Sequence, residues 1–250
     1  MRSHRTVFLL FLRHIVLPLL ALIGIVAAAE VGCFLAFGGD PAALTLEAAL
    51  DRASWPLTLV AALGLAACFG LLLGATLGRG RIRTQYTLCR LSLSHRAVVL
   101  WQAAANALAV LLYLLAQALI CLLLCWLYVQ RGGTLGPQAL FLAFWRVELF
   151  HAVLPLEHTA RWVANGLTVA AIGLLLACAT DRVREGRRGF AAVLCAPTIV
   201  AFFRTTDMTD PGYLLYLVAI AALAYSVSYL WSIPFWTDDD DPAPQEGAGS

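Results

Sequence analysis

Four polar side chains, Gln102, Asn106, Tyr113 and Gln117, interrupt one long apolar run. Their spacings of 4, 7 and 4 residues place them within about 60° of one another on a helix that turns about 100° per residue. Two amides, a phenol and a third amide in a stripe can line a path for a polar substrate. They can equally hydrogen-bond neighbouring helices, and the pattern is the same for both. Glu30 and Asn165 stand alone in other apolar runs. Glu30 could pair with an arginine, sit at the outer interface or relay protons. Residues 138–158, QALFLAFWRVELFHAVLPLEH, hold Glu148, His151, Glu157 and His158, types that ligate zinc. No His-Glu-x-x-His helix or cysteine ligands accompany them, so an outer surface or re-entrant helix is expected there rather than a metal site. Of seven cysteines, Cys33, Cys68, Cys121, Cys125, Cys178 and Cys195 lie in apolar runs and Cys89 in a polar joint, with no CxxC. Packing is their expected use. No catalytic constellation emerges, so neither enzymatic activity nor a cofactor is expected.

The elements that carry these residues are set by composition. The chain is 61% hydrophobic and 13% charged, with a mean hydropathy of +0.82, whereas soluble domains are about a quarter charged. An all-α, polytopic membrane bundle is the class this composition allows. Among its 250 residues there is no lysine; all 17 basic residues are arginine. That excludes a P-loop, Schiff-base chemistry and a Ser/Lys dyad, so ATP hydrolysis by that route needs another protein. A formal charge of +2 gives no global field for nucleic acid.

Six apolar stretches are separated by polar joints: 15–37, 55–77, 97–129, 160–180, 190–203 and 213–236. About 20 helical residues cross a hydrocarbon core of about 30 Å, so five qualify by length. The fifth, Phe190 to Phe203, has Pro197 within it and is expected either to span or to re-enter. The third would rise about 50 Å as one helix and project beyond the core.

Arginine orients the bundle. Arg2, Arg5, Arg13, Arg79, Arg81, Arg83, Arg90, Arg96, Arg182, Arg184, Arg187 and Arg188 fall on one side, and Arg52, Arg131, Arg146, Arg161 and Arg204 fall with most acids on the other. Both termini are therefore expected in the cytoplasm. Residues 1–14 form a cytoplasmic or interfacial segment, 15–236 the six-span domain and 237–250 an acidic, disordered tail. Within the first segment, Val7 to Leu12 is suited either to lying in the interface or to starting span one early. Ala27, Ala28 and Ala29 near the end of span one hint at a cleaved signal peptide, but its apolar run exceeds an h-region of about 7–15 residues. An uncleaved anchor is expected.

Gly70, Gly74 and Gly78, extended backward by Ala66, repeat every four residues in span two. Missing side chains let another helix approach, either a neighbouring span, the expected partner, or a second copy. Between spans two and three lies RGRIRTQYTLCRLSLSHR, residues 79–96. Thr84 can cap a short helix ending near Leu91, and Ser92 or Ser94 can cap span three afresh. A purely topological loop would need only the arginines.

YTLCRLSLSHRAVVLWQ, residues 86–102, resembles the segment after span two in type-two ATP-binding-cassette exporter permeases, where a leucine-bearing short helix, a serine-containing break and an apolar restart recur. The resemblance implies a bacterial plasma-membrane subunit, dimeric with itself or a related permease, driven by a separate ATP-binding subunit. It implies that Tyr86, Leu88, Leu91 and Ser94 are coupling-segment residues; Arg90, with the neighbouring arginines, would rim that segment. As sequence it covers about 20 residues; as six-span architecture, most of the chain. The long outer joint between spans three and four and the short one between five and six depart from that family. A non-transport membrane scaffold or assembly factor, associating through span two and binding anionic lipid through its basic joints, is the alternative.

Overall fold

The computed structural model describes residues 2–41, 43–75, 94–155, 159–184, 186, 193–203 and 213–233. Regular structure among them is helical: α1 (Arg2–Phe37), α2 (Leu46–Ala75), α3 (His95–Gln130), α4 (Ala139–Arg146), α5 (Glu148–Val153), α6 (Thr159–Arg184), α7 (Cys195–Phe203) and α8 (Tyr213–Ser232). Five of these, α1, α2, α3, α6 and α8, are long and apolar enough to cross a membrane. Their outward faces carry large apolar side chains, among them Leu17, Trp55, Leu119, Leu217 and Trp231, while Glu30, Gln102, Asn106 and Gln117 are buried. Apolar outside and polar inside suits a bundle whose solvent is lipid.

Two helices, α1 and α2, start more than a turn ahead of their apolar runs. Val7 and Phe11, one turn apart, bury against Val98 and Ala105 of α3, so the N-terminal patch continues span one as a single helix. At α2, the Thr45 side chain accepts a hydrogen bond from the Ala48 N–H at 3.3 Å, satisfying a first-turn donor and fixing the start ahead of the apolar residues.

The fifth stretch differs from a full span. α7 has nine residues, a rise of about 13 Å against the roughly 30 Å needed. Pro197 sits in its first turn, where its missing N–H costs nothing, so the proline marks the start of the helix and no kink arises.

The stretch expected as a single surface or re-entrant helix is interrupted. It forms two short helices joined at Val147, and in the second Leu149, Phe150, His151, Ala152 and Val153 are all buried. α5 packs among α2, α3 and α7, held by Asn165 of α6, whose Nδ2 donates to the Ala152 carbonyl at 3.0 Å.

α3 against α6 is the most extensive helix pairing, followed by α1 against α2, α6 against α8 and α1 against α3. The starts of α1 and α3 meet through the Phe8 and Trp101 rings, 5.7 Å apart. Arg184, at the end of α6, lies 6.0 Å from the Phe11 ring. One end of the bundle thus gathers Arg96, Arg182 and Arg184. At the other, Arg146 and Glu47 pair at 2.6 Å, and Tyr128 donates to the Leu44 carbonyl at 2.7 Å.

Candidate functional site

The expected polar stripe is one face of α3, and the whole of it is buried: Gln102, Asn106 and Gln117 are 0% exposed and Tyr113 is 1% exposed. Three of the four reach other helices. Asn106 Nδ2 donates to the Gly173 carbonyl of α6 at 3.4 Å, Tyr113 donates to the Ala61 carbonyl of α2 at 2.8 Å, and Gln117 Nε2 donates to Glu30 Oε1 of α1. The stripe binds α3 to three neighbours.

Gln102 is the exception, since neither its Nε2 nor its Oε1 has a hydrogen-bond partner. Such a group loses its solvation and gains nothing in return. Gln102→Leu is therefore expected to raise unfolding stability by about 1 kcal/mol, and Tyr113→Phe to lower it by about as much. Unfolding of both variants in lipid or detergent checks this; stabilisation by both would mean that the stripe holds no helices together.

The glycine repeat is oriented differently from the intramolecular reading. Ala66, Gly70 and Gly74 face outward, and a Cβ on Gly70 or Gly74 would meet nothing within 4 Å. Gly78 lies outside the described residues. A period of four defines a face but not which way that face turns. Close approach is made elsewhere. A Cβ on Gly64 would strike the Tyr113 hydroxyl and Val26, and one on Gly173 would lie 2.7 Å from Ala107 Cβ and 2.8 Å from the Ala103 carbonyl oxygen.

A second cluster, absent from the sequence reading, joins α3, α6 and α8 at the arginine-rich end. Asp181, with its side chain 3% exposed, accepts from His95 Nε2 at 2.8 Å and from the Tyr229 hydroxyl at 2.9 Å. Beside it the Arg182 guanidinium stands 4.8 Å from the Tyr229 ring and 5.2 Å from that of Tyr225, in cation–π range. Arg96 donates through Nε to the Ile233 carbonyl at 3.1 Å and through a terminal nitrogen to the Trp231 carbonyl at 3.3 Å. Trp231 lies in the last turn of α8 and Ile233 directly follows it, a helix end whose carbonyls are left unpaired and which an arginine suits electrostatically. The sequence signal was an acid amid the basic joints, with a histidine at the start of span three.

Ser94 is exposed and occupies the N-cap position of α3, though its side chain makes no capping bond; its carbonyl accepts from the Ala97 and Val98 N–H groups. Tyr86, Leu88, Arg90 and Leu91 lie outside the described residues. So do Glu157 and His158, while Glu148 is exposed and His151 buried. Among the described residues no three metal-ligating side chains come together. At the opposite end a cleft of about 510 Å³ is lined by Thr45, Glu47, Ala48, Asp51, Arg146 and Val147. Its ion pair is exposed and contributes less than about 1 kcal/mol.

Compared with known proteins, the chain matches no family model, no curated protein and no solved structure.

Proposed function

We propose that the chain is the multi-pass permease subunit of a type-two ATP-binding-cassette exporter in a bacterial plasma membrane, moved by a separate ATPase subunit. The observation that carries this reading is the clamp at the start of α3. His95 and Arg96 follow directly on the candidate coupling segment and bond to α6 and α8. A push on that segment by a closing ATPase is thereby delivered to three helices as one rigid-body movement. The absence of lysine, and so of a P-loop, supports the need for a partner.

Six crossings are the matching topology. At one end of α8 the Tyr216 hydroxyl donates to the Ala160 carbonyl of α6; at the other Tyr229 donates to Asp181. α8 therefore runs in the same direction as α6, which supports a sixth crossing between them. α7, too short to cross by itself, lies beside α6, its Phe202 carbonyl accepting from Arg161 at the start of α6 at 2.9 Å. With the arginine-rich end inside, both termini are cytoplasmic. A cytoplasm-active reporter fused after Ser250 is expected to work; activity of a periplasm-active reporter there would reject this topology.

The direct test concerns Tyr86, Leu88 and Leu91. A short helix docked in an ATPase cleft buries apolar anchors, each contributing on the order of 1–2 kcal/mol, whereas arginines steer the encounter. Changing the three residues to Ser while keeping every arginine is expected to preserve span orientation and weaken capture of the ATPase subunit. Replacing Arg81, Arg83 and Arg90 by Gln is expected to slow association and disturb insertion. Unchanged capture by the Ser variant removes the coupling role. The second reading, a membrane scaffold, draws on the outward Ala66–Gly70–Gly74 face, which suits close association with another helix. Stimulation of ATPase activity by the chain separates the two.

A further inference from the structure

Glu30 of α1 and Gln117 of α3 meet inside the bundle, both 0% exposed. Gln117 Nε2 donates to Glu30 Oε1. The atoms left over, Glu30 Oε2 and Gln117 Oε1, are both buried with no hydrogen-bond partner. A carboxylate can only accept, and so can an amide oxygen. An ionised Glu30 would therefore leave two buried acceptors on one interacting pair, neither with a donor, an arrangement folding strongly disfavours.

One added proton satisfies both. As an O–H, Glu30 Oε2 would be a donor for Gln117 Oε1, and acid and amide would then be joined by two opposed hydrogen bonds. Among the described residues no ion pair involves Glu30. The ionisable groups acting on the same site are Tyr113 and Cys121 of α3, and the Tyr113 hydroxyl is committed to the Ala61 carbonyl. The facing length of α2 has no ionisable side chain between Arg52 and Cys68, and α1 has none besides Glu30 between His14 and Cys33.

We propose that Glu30 is a proton-binding site, held as a neutral acid in a cyclic pair with Gln117 that fastens α1 to α3. Releasing the proton would strand a charge where neither helix can solvate it. Proton occupancy and the closeness of α1 to α3 are thus linked, and a state with these helices apart would favour the ionised form.

The test uses the full chain in lipid. Infrared spectra near neutral pH are expected to contain a carboxylic-acid carbonyl band that Glu30→Gln removes and Gln117→Leu displaces, because the acid then loses its acceptor. Identical carbonyl regions in wild type and Glu30→Gln would overturn the proposal. Failure of Glu30→Gln to fold would overturn it too, because the amide has the shape of the neutral acid and re-forms the same ring with Gln117.

Discussion

Gly173→Ala is expected to destabilise the bundle by about 1–3 kcal/mol, the usual cost of forcing extra atoms into a filled interior. The added Cβ would lie 2.7 Å from Ala107 Cβ, 2.8 Å from the Ala107 amide nitrogen and 2.8 Å from the Ala103 carbonyl oxygen. Two of these atoms are backbone and cannot rotate aside, so α3 and α6 must separate, and theirs is the most extensive pairing in the bundle. Alanine's helix propensity, better than glycine's by about 1 kcal/mol, works in the opposite direction and sets the lower bound of the range. Gly70→Ala is the matched control. It makes the same chemical change on a long helix where the new methyl meets nothing within 4 Å, so it is expected to be neutral or mildly stabilising. Unfolding of both variants in the same lipid or detergent decides the matter. Equal shifts would mean that the α3–α6 contact is not as close as described.

The contrast between those glycines shows what was legible in the sequence. Hydrophobic length gave the helices: α3 is the expected third stretch extended by two residues at the start and one at the end, because nothing polar enough interrupts it. Periodicity gave faces, and the four members of the α3 stripe do share one. Direction relative to the bundle was not legible, since it depends on which helices become neighbours. The regular glycine repeat therefore pointed to packing at a surface that faces outward, while solitary Gly64 and Gly173 carry the close approaches. Partners at long range were hidden for the same reason. Glu30 and Gln117 are 87 positions apart, and neither residue alone signals the other. Pro197 was legible as a helix disruptor, but its position in the first turn became clear only with the boundaries of α7.

Asp181→Leu is the second substitution of large expected effect, about 2–3 kcal/mol of lost stability. The carboxylate is the acceptor for both His95 and Tyr229, and leucine offers neither an oxygen. The two bonds are unequal. The His95 side chain is 52% exposed, so water replaces its partner at little cost and His95→Ala should lose less than about 1 kcal/mol. Tyr229 is 5% exposed, and its hydroxyl would give up a charge-assisted bond in a place water does not reach. Most of the loss is therefore assigned to the α6–α8 contact. Tyr229→Phe alone should cost about 1 kcal/mol, and in the double variant Tyr229→Phe should add less than about 0.5 kcal/mol to Asp181→Leu. Additive losses would mean that the two residues do not share a bond. The clamp also bears on the proposed drive. With Asp181 replaced, a displacement at the start of α3 still reaches α8 through Arg96, but its bond to α6 is gone. ATPase stimulation should fall further than capture of the ATPase subunit, because the proposed docking residues Tyr86, Leu88 and Leu91 are untouched. Equal loss of capture and stimulation would place the effect in folding and remove the lever from the mechanism.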